Sequence, residues 1–582
     1  MNYLSKAFKK FHFKSKNVGL FGLNIPLQLY TFVLFLSSLL GSGYAVYTTN
    51  QAIQIPFVYL LNNSALYPND PFAATLPYYS SLLWHIVALG VRFIPLEPLF
   101  LTLFLLERLF VIYAAGYLAR TFFPKSQLAV VGAMALFALG IGPILGSGTV
   151  VTFYFEQTGL SIPFFLLSVA SFYSSQAILW AIWLAIGFNL NSMYGVYAIT
   201  YFIGVFLFDS TYRSAWKKWL SCFGLFLLLG SPAIFLTLSA FGRNAHNNSL
   251  WMLAAQVRFP HHLYPLSWSK DAFAKFGLLI ILLVGLLHQN RHKMPKLFKH
   301  SAIWAGISLL WLLYAFVAAY IAKSPSMQVM HPARATDLWY CFAGIALVSL
   351  LAVQIEESRG LQRRTFLVVA FSASILIWFP LISPSILAFC MLALMWQPIW
   401  YGILGKGSSK RLALLLTLFV LLVGLHRFRD RLAQTKSVQA ALIARPSAAV
   451  EQVANWASAN TSTDGVFLVS NLVSGEWDSF RALAKRPLFT TWKDGSAILW
   501  DRAFVQPWVE RLNALGLDIT QPGLTQDEVF AQLGSLHEKL RDEEVKQLQF
   551  RFPISYWVVP VERSSTFPIA FQNQSYKVLN LK

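Results

Sequence analysis

The chain has 582 residues, of which 56% are hydrophobic and 12% charged; soluble domains run at roughly 45–50% apolar and 25% charged, so an ordinary soluble protein is excluded. The formal net charge of +21 does not point to nucleic acid, because the Lys and Arg lie between hydrophobic runs, where the positive-inside rule places cytoplasmic loops. Cys222, Cys341 and Cys390 all fall in apolar runs and none lies in the terminal domain, which excludes a disulfide framework or a cysteine metal site.

In chain order, apolar runs near the length of a bilayer core predict spans at about 25–47, 98–121, 127–145, 159–175, 177–190, 192–208, 219–240, 271–288, 303–323, 337–356, 365–383, 386–404 and 411–426. The first is too long for a cleavable signal peptide and lacks a small-residue cleavage pattern. Basic clusters set the orientation. Lys6, Lys9, Lys10, Lys14 and Lys16 place the N-terminus in the cytoplasm, and Arg213–Lys218, Arg291–Lys299, Arg359–Arg364 and Lys406–Arg411 mark later cytoplasmic loops. These agree only if Tyr78–Phe93 lies on the outer surface rather than spanning, with His85 and Arg92 at its polar edge. The expectation is a plasma (inner) membrane protein with about 13 transmembrane helices over 1–426 and an extracytoplasmic α/β domain over 427–582.

The outer loops carry the chemistry. Asp70 sits in Tyr67-Pro68-Asn69-Asp70-Pro71-Phe72, which reads either as a plain turn or as a carboxylate held stiffly at the membrane boundary. Glu156 follows Phe153-Tyr154-Phe155 and is either a solvated helix end or a second functional acid. Either carboxylate is a candidate general base or a candidate ligand for a divalent cation, Mg2+ or Mn2+. Arg258, His261 and His262 lie in the most polar outer loop, and Arg334 in His331-Pro332-Ala333-Arg334 at the mouth of a span. Arg with paired His suits a phosphate or pyrophosphate. Within the second span Glu107 and Arg108 are adjacent, so they point apart on a helix and line a cavity or hold structure.

The tail reads as helix Val450–Ala459, strand Gly465–Ser470, short strand Pro487–Thr491, strand Ile554–Pro560 and a last strand near Tyr576–Leu581. It shows no glycine-rich phosphate loop, nucleophile elbow or zinc pattern, and its acids and bases read as a solvated surface, so a role in acceptor recognition or stability is expected rather than one in chemistry.

Taken together, the first-loop acid in Tyr67-Pro68-Asn69-Asp70-Pro71-Phe72, the surface helix after it, the second-loop acid Glu156, the many spans and the exported tail opening Trp456-Ala457-Ser458-Ala459-Asn460-Thr461-Ser462-Thr463-Asp464 resemble the GT-C membrane glycosyltransferases, the class of oligosaccharyltransferases and protein O-mannosyltransferases. The chain departs from them in having no Trp-Trp-Asp-Tyr-Gly acceptor motif and no Asp-x-Asp or Glu-x-Asp in the second loop. The resemblance implies an enzyme that moves a sugar from a polyprenyl-phosphate donor to an acceptor on the outer face, with inversion. Asp70 would then be the base, with Glu156 as the second catalytic acid, and Arg258, His261 or His262 and Arg334 would steady the leaving phosphate. Two other classes stay open: a lipid or solute transporter, against which stands the lack of repeated or Gly/Pro-broken span pairs, and a non-catalytic membrane scaffold.

Overall fold

A computed structural model describes residues 25–79, 81–140, 145–146, 150–240, 247–358, 367–368, 370–371, 408–470, 475–521 and 523–582. The expected spans 365–383 and 386–404, the N-terminal lysines, the 359–364 cluster, Lys406 and Cys390 lie outside the described residues or almost entirely so. Elsewhere helices occupy every expected span, from Ile25–Ser42 through Leu96–Phe122, Gln127–Leu139, Gln157–Tyr173, Ala177–Leu190, Ser192–Phe208, Trp216–Ala240, Lys270–Gln289, Pro295–Phe316 and Ala335–Glu357 to Ser408–Thr435. Six of the described helices are long and apolar enough to cross a bilayer, and the chain is a multi-pass helical membrane protein.

The shortest of these helices is explained by where it sits. Gln127–Leu139 is apolar on all sides and buried from Leu128 to Leu139; a helix of that kind is enclosed by other helices, so the lipid thickness does not set its length. Gln157–Tyr173 and Ala335–Glu357 are enclosed too, whereas Trp216–Ala240 and Lys270–Gln289 leave Leu228, Phe235 and Ile281 exposed as a lipid-facing surface would. Starts are fixed by side chains taking orphan amides: Ser126 accepts from Ala129 N, Asn191 from Tyr194 N, and Ser269 from Ala272 N.

The segment 78–93 holds a nine-residue helix, Leu82–Gly90, with Leu83, Trp84, Val87 and Ala88 buried and Ile86 and Leu89 exposed. At nine residues it is too short to span.

Helix Ser408–Thr435 runs past residue 426 and delivers the chain to the tail. There a four-stranded sheet has the spatial order Val466–Leu468, Ile554–Pro560, Tyr576–Asn580, Ile569–Gln572, the first pair parallel and the others antiparallel. The strand expected at 487–491 reduces to a single bridge, Phe467 to Leu488. Its outward amide, Leu488 N, donates to Asp70 Oδ2 at 3.1 Å, so a side chain from the first loop stands where another strand would have paired.

The tail is not the solvated surface expected. Arg481, Arg486, Asp494 and Arg511 are buried. Arg486 donates to the carbonyls of Ser458 and Thr461, and Arg511 to that of Phe489. Buried charges persist when so paired. The tail packs against the loops at one end of the bundle: Trp251 Nε1 donates to the Ile498 carbonyl at 2.9 Å, and Tyr67 OH to that of Arg481 at 3.1 Å.

Candidate active site

Glu156 stands at the N-cap of helix Gln157–Tyr173 with extended backbone, φ −148° and ψ 162°. Its amide donates to Glu107 Oε2 at 3.5 Å, and its carboxylate accepts from Asn50 Nδ2 at 3.1 Å and the Tyr154 hydroxyl at 3.3 Å. The other end of the Asn50 amide accepts from Lys493 Nζ at 2.8 Å, so one asparagine joins a loop acid to a tail lysine. Only 6% of Glu156 is exposed. Burial pushes its carboxyl above the usual range, while Arg334, Asn50, Tyr154 and Lys493 act in the opposite direction.

Glu156 opens onto a cavity of ≈ 320 Å³ whose wall also holds Arg258, His261, His262, Arg334 and Lys493. Five of the six residues singled out by sequence therefore meet in one place. Arg258 ends helix Asn248–Arg258, where Nε donates to the Trp492 carbonyl at 3.0 Å and Nη2 to Ser496 Oγ at 3.2 Å. Its guanidinium lies 5.3 Å from the Trp492 ring, an arrangement that holds the cation in place on the tail. Arg334 lies 3.8 Å from Asp337 Oδ2 and 5.5 Å from the Tyr194 ring.

The imidazoles of His261 and His262 are 4.1 Å apart, and His331 follows at 5.8 Å from His262. His262 Nδ1 lies 2.9 Å from the Gly146 carbonyl, which only accepts, so that nitrogen carries the proton. Burial, then Arg258, Arg334 and Lys493, push His261 down to about 4; burial and His261 hold His262 well below its usual value. At neutral pH both are neutral rather than imidazolium ions, which leaves His261 one N–H to donate while the single N–H of His262 is spent on the Gly146 carbonyl. The positive charge comes from Arg258, Arg334 and Lys493, the last pushed down to about 8 by burial and Arg258 against the pull of Asp478 and Glu156.

Asp70 is placed elsewhere. Arg481 Nε donates to its Oδ2 at 2.7 Å and Nη2 to its Oδ1 at 3.3 Å, while Phe72 N donates to Oδ1 at 3.1 Å. The other face of the same guanidinium holds Asp494 at 3.0 Å. Both side chains of the Asp70–Arg481 pair are 1% exposed. Asp70 fastens the first loop onto the tail, and does not line the cavity of Glu156.

A family described as a domain of unknown function (DUF6798) matches residues 448–515, the stretch that holds Arg481, Lys493 and Asp494. No curated protein matches the chain. The crystal structure of ArnT from Cupriavidus metallidurans in the apo state is similar, with 10% identity over 95% of this chain and 97% of that one and a TM-score of 0.42.

The divalent cation weighed for Asp70 and Glu156 does not fit the arrangement. The two carboxylates face different surroundings, Asp70 is occupied by Arg481 and backbone amides, and no three His, Cys, Asp or Glu side chains group as ligands among the described residues. Lys493 and Asn50 escaped the sequence reading, because a tail lysine and a loop asparagine carry no local signal. Their role comes only from docking of the tail. His331 stood in the stretch that flagged Arg334 and was passed over.

Proposed function

We propose that the chain is a membrane glycosyltransferase that transfers a sugar from a polyprenyl-phosphate donor to an acceptor on the extracytoplasmic face, with Glu156 as general base. The observation that carries this reading is the cavity itself: a single buried carboxylate facing Arg258, Arg334 and Lys493. In the reaction the acceptor hydroxyl gives its proton to Glu156 and its oxygen bonds to the anomeric carbon. The bond from that carbon to the phosphate oxygen breaks, and the electron pair leaves on the phosphate. A phosphate leaving group needs charge compensation more than a proton, which the three cations supply from fixed positions, with the N–H of neutral His261 as a further donor.

The inventory of acids supports inversion. A double displacement needs a second carboxylate as nucleophile, and Glu156 is the one acid among the described residues lining this cavity. Asp70, which the family resemblance nominates, has its oxygens committed to Arg481 and backbone amides, so in this reading it positions the tail and its Lys493. The transporter and scaffold readings lack a comparable reason for a carboxylate facing three cations. We place the cavity on the extracytoplasmic side from the basic clusters, with residues 1–426 as the membrane domain and 427–582 as the exported one.

The test is the full chain in detergent with a polyprenyl-phosphate hexose pool and membrane extract as acceptor source, read as release of polyprenyl phosphate. Glu156→Gln should lower release by about 10²–10⁴-fold while leaving the protein folded. Unchanged release in that variant removes Glu156 as base.

A further inference from the structure

A second cavity of ≈ 490 Å³ adjoins the first, and the two share Arg258, His261 and Lys493 as a common wall. Its size falls within the range of small-molecule sites. Beyond the shared wall it is built from both parts of the chain: Tyr47, Thr49 and Phe153 from the membrane part, and Asp478, Trp492, Gln526 and Phe530 from the tail.

The chemistry of this lining differs from that of the first cavity. The rings of Trp492 and Phe530 meet edge to face at 6.1 Å and 90°, a packed apolar surface. Of its charges, Arg445 is already bound to Glu97 at 2.6 Å and Glu451 at 2.9 Å, and Glu476 accepts from Ser447. Asp478 faces Lys493, Asp494 and Arg258, and burial pushes it up to about 7. What remains for a ligand is an aromatic surface with hydrogen-bonding groups at Asp478, Gln526 and Thr49, and no uncompensated charge of one sign. Gln526 Nε2 gives one hydrogen to the Arg258 carbonyl at 3.3 Å and Asp478 takes one from Thr491; a phosphate is better served across the wall, and a purely apolar chain would leave the second carboxylate oxygen of Asp478 and the amide oxygen of Gln526 without a donor.

We infer that this second chamber holds a neutral carbohydrate ring, its C–H face against Phe530, which Trp492 backs, and its hydroxyls on Asp478 and Gln526, next to a phosphate held at the shared wall. The inference rests on the glycosyltransferase reading and names the group that the cations hold the phosphate beside. The ring has two sources, the sugar of the donor and a carbohydrate acceptor.

The experiment measures binding to the full chain in detergent with three probes: polyprenyl phosphate, polyprenyl-phosphate hexose and a lipid-free oligosaccharide. Asp478→Asn and Phe530→Ala should weaken at least one sugar-bearing probe by about tenfold, the scale of one hydrogen bond to a charged group, and should not weaken polyprenyl phosphate, which loses a nearby negative charge in Asp478→Asn. Phe530→Tyr should keep the affinity, and unfolding midpoints should stay near the parent value. Loss confined to polyprenyl-phosphate hexose assigns the chamber to the donor sugar; loss confined to the oligosaccharide assigns it to the acceptor. If both sugar-bearing probes are indifferent to the variants, or if bare polyprenyl phosphate weakens equally, the chamber is not a carbohydrate site. Failure of the parent protein to bind polyprenyl phosphate at all, with oligosaccharide binding intact and sensitive to Asp478→Asn, sinks the glycosyltransferase reading and leaves the chamber standing.

Discussion

Arg481 holds Asp70 across 411 residues of sequence, Nε to Oδ2 at 2.7 Å, and with its other edge holds Asp494. One guanidinium thus fixes the first loop to the tail and sets the short 3-10 turn Lys493–Leu499 that carries Lys493. The pair is fully enclosed, so its value lies in what removing one partner leaves behind. Breaking a buried ion pair costs about 3–5 kcal/mol, because an uncompensated charge stays in the interior. Asp494 remains beside Arg481, which puts Asp70→Asn near the lower end, about 3 kcal/mol. The expected outcome is a lowered unfolding midpoint, with activity lost in step with folded protein. Complete loss of turnover at an unchanged midpoint would return the role of base to Asp70.

Much of the fold was legible because a bilayer core imposes one length and one composition on every lipid-facing helix, and those are readable from a single sequence. The site was half legible. Charges in short loops between apolar spans stand out, which is why Glu156, Arg258, His261, His262 and Arg334 were found. Asp70 stood out in the same way, and nothing local distinguishes it from Glu156; the difference is Arg481, far along the chain. Lys493 was hidden among many polar tail residues, since burial of Arg481, Asp494 and Arg511 is a property of docking. The outer edge of Pro487–Thr491 is likewise a product of docking, its Leu488 amide being taken by Asp70.

The orientation rests on charge pattern and needs its own measurement. In a cysteine-free background, single cysteines at the exposed positions His292 and Lys539 should divide: an impermeant thiol reagent added to intact cells should label Lys539→Cys and spare His292→Cys. Ser301, though in the same basic region, is fully enclosed and gives no signal on either side. The reverse labelling would place the cavity in the cytoplasm.

Gly159 offers a test that leaves every charged residue in place. It lies in the first turn of helix Gln157–Tyr173, and a Cβ added there would overlap the Glu107 carboxylate. Glu107 accepts the Glu156 amide at 3.5 Å, so relief of the clash moves the group that sets the direction of the base. Overpacking of this kind costs about 1–3 kcal/mol. Gly159→Ala is expected to lower turnover by more than its change in unfolding midpoint accounts for, and Gly224→Ala, where a Cβ meets nothing within 4 Å, should change neither.

The pH profile of kcat/KM separates the roles of Glu156 and Lys493. The base must be ionised to take the acceptor proton, and burial raises its pKa, so activity rises with pH along an acid limb lying above the ordinary glutamate value of about 4.3. Lys493 must be protonated to steady the phosphate, and it loses its proton near pH 8, which makes activity fall along an alkaline limb starting there. The product is a bell. Lys493→Arg keeps the charge and should carry the alkaline limb upward, since guanidinium stays protonated. Lys493→Met should flatten that limb and lower kcat/KM by about tenfold or more, the scale of one lost charge-assisted hydrogen bond. Glu156→Gln should remove about 10²–10⁴-fold and leave no acid limb in what remains. An unchanged alkaline limb in Lys493→Arg would take the lysine out of the reaction and return the tail to a supporting part.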